Sequence, residues 1–314
     1  MLCLITGVAG FVGSSLCDRL LADGHSVRGI DCFVDYYPRA VKESNLSAAR
    51  KNTRFSFQEG NLLTADIPPL IDGVDVIFHQ AAQAGVRASW GGYFSSYCDN
   101  NILATQKLLE AAKGRSHIKK IVYASSSSVY GNAESFPTPE TIMPQPVSPY
   151  GVTKLAAEHL MSLYATEFGV PTVSLRYFTV YGPRQRPDMA FNRFARAALQ
   201  GEELSLYGDG EQSRDFTFIS DIVEANILAA LKGNPGRVFN IGGGTQATVN
   251  MVLDIIKARV GALKVKRFER QVGDARHTSA DTSRARSELG YKPQVSLVEG
   301  IAREIDWMAE QLRG

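Results

Sequence analysis

Residues 6–13 read TGVAGFVG, with Gly7, Gly10 and Gly13 standing between an apolar run, Leu2 to Ile5, and a stretch in which Leu16, Leu20 and Leu21 fall at helical spacing. A strand that passes through glycines directly into a helix predicts a sharp turn whose backbone approaches another group closely, because glycine has no Cβ to block either. Gly24 marks the expected end of that helix, and Val27 to Asp31 reads as the next strand. Further apolar runs at Phe55 to Phe57, Val74 to His79 and Ile121 to Ser125 alternate with amphipathic stretches. Buried parallel strands with crossover helices require that alternation. The predicted fold is therefore α/β, a doubly wound parallel sheet.

A helix that starts on glycines offers free N–H groups and a positive dipole end to a diphosphate. A glycine pattern alone is about as often a plain tight turn. The strand–turn–helix setting, with Asp31 ending the second strand, favours binding. Asp31 stands where a carboxylate accepts hydrogen bonds from ribose hydroxyls and repels a 2′-phosphate, which predicts NAD rather than NADP. Arg28 and Arg39 lie near it in sequence. The expected cofactor contacts here are Gly7, Gly10, Phe11, Val12, Gly13 and Asp31.

The 314 residues, 44% hydrophobic and 21% charged, match an ordinary globular protein with ample material for a core. A net charge of +2, with lysine and arginine scattered, argues against a nucleic-acid partner, which calls for concentrated positive charge. No apolar run nears the roughly 18 residues of a membrane-spanning helix. The first apolar stretch is interrupted by glycines and lacks a basic leader, so no signal peptide and a cytoplasmic address are expected. Cys3, Cys17, Cys32 and Cys98 show no CxxC spacing and read as reduced and structural.

After about Thr179 the pattern loosens into VYGPRQRPDMAFNRF, which suits a ligand-covering lobe better than a sheet. RDFTFISDIVEANILAALKG followed by VFNIGGG again reads as helix then strand, a return to the sheet. The expected division is residues 1–178, with 216–244 returning, as the nucleotide-binding unit. Residues 179–215 and 245–314 form a smaller C-terminal substrate-binding lobe. Ser296 and Glu299 form a capping-box pattern ahead of a final helix.

Tyr150 and Lys154 in YGVTK are four apart, one turn along one helix face. An ammonium beside a phenol stabilises phenolate, which suits a general base. A lone YxxxK is usually an ordinary amphipathic helix, but this one follows ASSSSVYG. There Ser125, Ser126, Ser127 and Ser128 leave the C-terminal end of an expected strand, where open parallel sheets bind ligands. Four adjacent hydroxyls are poor core residues. Tyr130 reads as packing.

The ordered series TGVAGFVG, HQAA, SSSSVYG, SPYGVTK, RYFTVYGPRQRPDMAF, GDGEQSRDFTFISD and ELGYKP covers essentially the whole chain. It resembles the extended short-chain dehydrogenase/reductases, specifically the NAD-dependent nucleotide-sugar epimerases. The resemblance implies a Rossmann-type sheet, tightly bound NAD and a homodimer packed through helices of the nucleotide domain. Ser126, Tyr150 and Lys154 look like the family's catalytic serine, base and lysine, with Lys154 also on the nicotinamide ribose. The implied chemistry is reversible hydride transfer: Tyr150 takes the proton of the sugar 4-hydroxyl while hydride passes to NAD, and the 4-keto sugar turns over and is reduced on its other face.

Position by position, Gln80, Ala81 and Ala82 match the segment that passes the cofactor, and for His79 an ordinary strand end is an equally good reading. Asn61 and Leu62 match the adenine contact, with asparagine where the family commonly has aspartate. Thr179, Asn192, Arg193, Arg214 and Arg276 match positions that bind the nucleotide diphosphate, a task suited to the planar guanidinium fork. Ser127 and Ser128 are expected to face the sugar. GVRASWG with Arg87, and GPRQRPDMAF with Arg184 and Arg186, look closest to bacterial UDP-glucuronate 4-epimerases, with Arg186 nearest the substrate carboxylate and Arg87 the next candidate. Thr179 also departs from the asparagine usual in UDP-glucose 4-epimerases. UDP-glucose, UDP-N-acetylglucosamine and UDP-glucuronate decarboxylation stay open, as does a sensor that binds without turnover.

Overall fold

The structure is a computed structural model that describes residues 1–269 and 275–313. Its strands in chain order are β1 (Leu2–Thr6), β2 (Ser26–Asp31), β3 (Phe55–Glu59), β4 (Val76–His79), β5 (Lys120–Ser126), β6 (Thr172–Tyr177), β7 (Val180–Tyr181), β8 (Glu203–Tyr207), β9 (Ser213–Asp215), β10 (Thr217–Phe218), β11 (Arg237–Ile241), β12 (Gln246–Thr248) and β13 (Lys264–Phe268). The α-helices are α1 (Phe11–Ala22), α2 (Arg39–Asn45), α3 (Ile67–Leu70), α4 (Phe94–Tyr97), α5 (Ala104–Ala112), α6 (Pro149–Phe168), α7 (Ala190–Gln200), α8 (Ile219–Lys232), α9 (Val249–Val260) and α10 (Leu297–Arg313).

Seven strands form a parallel sheet in the order β3-β2-β1-β4-β5-β6-β11. This is the doubly wound α/β arrangement read from the alternating pattern, and β11 is the strand expected to return late. The order of strand addition reverses between β1 and β4, with Cys3 paired to Val27 on one side and Val76 on the other. A crevice opens at the strand ends there. Leu4, Ile77 and Ile121 meet α5 and α6 on one face, while Ile5, Phe78 and Val122 meet α1 and α8 on the other.

The second face continues without a break into the later chain: Phe191, Phe194, Leu204, Leu206, Val252 and Ile305 belong to the same apolar cluster as Leu16 and Leu20. Tyr181, Phe191 and Phe216 knit the seam, with ring centroids 4.7 and 4.9 Å apart. Three two-stranded pairs, β7 with β10, β9 with β12 and β8 with β13, carry the outer part.

Helix ends follow local chemistry. Ser148 caps α6 by accepting from the Gly151 N–H at 3.1 Å, and Gly169 ends that helix in the left-handed region at φ 65°. The Ser296 hydroxyl accepts from the Glu299 N–H at 3.3 Å, while the Glu299 carboxylate pairs with Arg303 at 2.6 Å. Half of the expected capping box is thus replaced by an i,i+4 ion pair. No described helix is long and apolar enough to cross a membrane.

Candidate active site

The turn after β1 is shaped by contact with the next strand over. Gly7 adopts φ 69°, and a Cβ on it would stand 2.8 Å from the backbone of Ala81. A Cβ on Gly13 would collide with the Gly7 carbonyl. Gly10 caps α1 with no side-chain acceptor, and the first turn carries no acidic residue. The N–H groups of Phe11 and Val12 therefore lack helical partners, and the dipole end is unopposed. Beside it the Asp31 carboxylate accepts from the Ala9 N–H at 3.0 Å and the Phe33 N–H at 2.8 Å, which leaves lone pairs for further donors. Burial pushes this carboxyl up, against the pull of those N–H groups and of Lys42. The two arginines near Asp31 in sequence are engaged elsewhere: Arg28 donates to the carbonyls that end α3, and Arg39 pairs with Glu43 and Glu59.

These groups line a cavity of about 420 Å³ at the crevice. Phe11, Val12, Asn61, Leu62, Gln80, Ala81 and Ala82 lie along it. Ser126, Ser127, Ser128, Tyr150 and Lys154 form its far wall. Ser125 also lines it, with its hydroxyl donating to the buried Glu158 at 2.6 Å. His79 is fully buried between the hydroxyls of Thr6 (2.7 Å) and Thr105 (2.9 Å), and burial drives its pKa down to about 3. It is a neutral core residue.

A second cavity of about 430 Å³ adjoins the first and is lined by Arg87, Arg193, Arg214 and Arg276. Arg87 lies 5.0 Å from the Tyr207 ring centroid, Arg214 donates to the Ser213 and Arg276 carbonyls, and Arg276 pairs with Asp209 at 3.3 Å. Thr179 and Arg186 line both cavities. Asn192 lines neither: its side chain donates to the Gln185 carbonyl at 2.7 Å while its own N–H is capped by Gln185 Oε1. Arg184 leaves the site to pair with Asp18.

The electrostatics of the far wall differ from the sequence expectation in one respect. Burial pushes the Tyr150 phenol up, and the groups that pull it down are the Arg186 charge and Ser126. Lys154 sits with its Nζ 4.3 Å from the Tyr123 ring centroid, where burial brings its pKa down to about 7 and Glu158 resists. Glu158 is itself locked in a buried pair with Arg176 at 2.6 Å. Tyr97 packs edge-on against Tyr150, its hydroxyl 2.7 Å from the Gly85 carbonyl.

Tyr36, Lys42 and Asp188 were not singled out from the sequence. Tyr36 lines both cavities, and Lys42 is buried beside Asp31 with its ammonium on the Val34 carbonyl. The signal for Tyr36 and Lys42 was DYYPRAVK at residues 35–42, which begins four residues after Asp31 and holds two adjacent tyrosines and a lysine, and for Asp188 its place two residues after Arg186 in GPRQRPDMAF.

A model of the NAD dependent epimerase/dehydratase family matches residues 3–242. A Bacillus subtilis protein named as an uncharacterized UDP-glucose epimerase, YtcB, is 46% identical over 99% of both chains. The UDP-glucuronate 4-epimerase of Thermodesulfobacterium geofontis is 36% identical, over 98% of this chain and 96% of its own. The crystal structure of UDP-glucuronic acid 4-epimerase from Bacillus cereus in complex with UDP-glucuronic acid and NAD superposes with a TM-score of 0.96. It is 42% identical and covers 99% of this chain and 100% of that one.

Proposed function

We propose, from the premise that this chain belongs to the NAD-dependent epimerase/dehydratase family, that it is an NAD-dependent UDP-sugar 4-epimerase interconverting UDP-glucuronate and UDP-galacturonate. The observation that carries the choice of sugar is Arg186, a guanidinium at the junction of the two cavities whose charge acts on Tyr150. A carboxylate at C5 of a sugar whose 4-hydroxyl meets Tyr150 would lie within its reach.

The first cavity suits NAD: a helix N-terminus without an acid, a glycine turn with no room for a Cβ, and a ribose-facing carboxylate. Residues 1–178 with 216–244 would hold it, and 179–215 with 245–314 the nucleotide sugar. When bound, NAD supplies a reversible hydride acceptor for the sugar C4. Tyr150 takes the proton of the 4-hydroxyl, Ser126 polarises that hydroxyl, and Lys154 holds the nicotinamide ribose. Ser127 and Ser128 face the sugar, Thr179, Arg193, Arg214 and Arg276 the nucleotide diphosphate, and Arg87 is the next candidate after Arg186 for the carboxylate. The keto uronate formed in passing is a β-keto acid, so Arg186 must also hold its carboxylate against loss as carbon dioxide.

We also assign the enzyme to the cytoplasm, in keeping with its four free cysteines, and to a homodimer through α5 and α6. Val152 and Leu163, three turns apart on α6, are about half exposed. A neutral hexose is the second reading, favoured by the name of the B. subtilis relative.

The test is turnover of UDP-glucuronate and UDP-glucose by wild type, Tyr150→Phe and Arg186→Ala, with products separated by chromatography. Wild type should prefer the acid. Tyr150→Phe should bind both sugars yet lose roughly two to four orders of magnitude in kcat. Arg186→Ala should lose about tenfold or more in kcat/KM on the acid relative to the neutral sugar and release more five-carbon product. Faster wild-type epimerisation of UDP-glucose would overturn the assignment of the sugar.

A further inference from the structure

Arg186 does not meet the cavity junction as a bare cation. Its Nε donates to Asp188 Oδ1 at 3.0 Å and its Nη2 to Oδ2 at 2.9 Å, a side-on fork that uses one edge of the guanidinium. Only Pro187 separates the two, and its ring restricts the backbone between them. The pair is therefore set by the local chain. Arg186 lines both cavities, whereas Asp188 lines only the arginine-rich one. The Tyr36 ring lies under the guanidinium, 5.6 Å from centroid to Cζ, and its hydroxyl is 3.5 Å from Asp188 Oδ2. The side chains of Arg186 and Asp188 are 20% and 39% exposed, so the pair contributes little to stability and can be altered without unfolding the chain.

We infer that Asp188 sets the sugar preference of the site by neutralising Arg186. It takes the Nε edge, leaves the rest of the guanidinium, which also hydrogen-bonds the Tyr36 hydroxyl, toward the substrate, and brings the net charge of the pair to zero. This rests on the reading that a nucleotide sugar occupies the junction. Two carboxylates can share one guanidinium through its two edges, but they repel each other, and the second gains hydrogen bonds with little net Coulomb attraction. On the cofactor side Lys42 and Asp31 carry opposite signs and burial pushes the phenols of Tyr36 and Tyr150 toward their neutral forms, while Arg87, Arg193, Arg214 and Arg276 line the other cavity and act alike on all three ligands compared below. An acidic sugar is then held mainly by hydrogen-bond geometry, and a neutral one does not displace a partner from the guanidinium. Asp188 acts through Arg186 and is a positioning residue.

The experiment uses NAD-loaded protein carrying Tyr150→Phe, so that binding is read without turnover. Dissociation constants for UDP-glucuronate, UDP-glucose and UDP are measured by calorimetry with and without Asp188→Asn, which keeps an oxygen acceptor for Arg186 and removes the charge. Carboxylates on two edges of one guanidinium stand roughly 7 Å apart, where relief of one like charge is worth about a factor of three in bulk water and more in a half-buried site. UDP-glucuronate should therefore bind about five- to tenfold tighter in Asp188→Asn, with UDP-glucose and UDP unchanged within about twofold. Unchanged or weaker binding of the acid, or an equal shift for all three ligands, would overturn the inference and leave Asp188 as a prop for the arginine. Failure of the underlying reading shows elsewhere, as preferential turnover of UDP-glucose by wild type.

Discussion

The two adjoining cavities are nearly equal in size, about 420 and 430 Å³, yet they are built by different means. The cofactor-side cavity is shaped by backbone. Gly7, Gly10 and Gly13 leave no room for side chains, α1 presents N–H groups, and Asp31 is held by two main-chain donors. The arginine-lined cavity is shaped by side chains from separate segments, Arg87, Arg193, Arg214 and Arg276, several with partners of their own. A backbone-built site tolerates little change because a clash cannot relax. A side-chain-built site can lose one cation and keep its shape.

Gly13→Ala breaks this comparison most directly. Its methyl group would collide with the Gly7 carbonyl, a backbone atom that cannot step aside. Overpacking of that kind costs about 1–3 kcal/mol, and the displaced turn should no longer retain nucleotide. Wild type should release NAD when denatured and the variant none. A variant that retains NAD at the wild-type level would refute the backbone account, and wild-type release of NADP alone would refute the role given to Asp31.

Arg193→Ala is the counterpart on the other side, with a smaller effect. Removing one charge-assisted contact to phosphate should weaken UDP binding about tenfold, equivalent to ~1.5 kcal/mol, and leave the NAD content unchanged. Calorimetry with UDP reads the first and nucleotide release the second. Loss of NAD along with UDP affinity would mean that the two cavities do not stand apart in this way.

The smallest effect concerns the seam, where the Gly182 N–H donates to Glu304 at 2.9 Å and the other carboxylate oxygen, Oε1, has no partner among the described residues. Burial pushes this carboxyl up from 4.5 to about 8, with the Gly182 N–H pulling the other way. A carboxyl raised in the fold adds stability that is complete below the unfolded value and is lost as pH rises through the folded one. Glu304→Gln should therefore match wild type near pH ~4.5 and melt a few degrees higher above pH ~8. Parallel melting curves of the two proteins against pH would show that Glu304 does not carry this penalty.

Much of the cofactor side was legible in the residues. Gly7, Gly13 and Asp31 act within one strand–turn–helix unit, and Tyr150 and Lys154 lie one turn apart on α6. The arginine-lined side was legible only through resemblance. Asn192 matches a ligand position yet holds Gln185, while Asp188, two residues from Arg186, went unread although it occupies one edge of that guanidinium. Lys154 was expected to act on Tyr150 and instead faces the Tyr123 ring, with Arg186 supplying the charge that Tyr150 feels.

The sequence by itself determined the alternation of strand and helix, the glycine turn, the caps at Ser148 and Gly169 and the acid at the end of β2. Each follows from sterics or hydrogen bonding within a few residues. Tertiary structure alone decided which arginines line a cavity, which partner each already holds and how far burial moves Tyr150, Lys154 and Glu304. Those outcomes depend on which distant groups packing brings within a few ångströms and on how much water it removes, and neither is encoded in spacing along the chain.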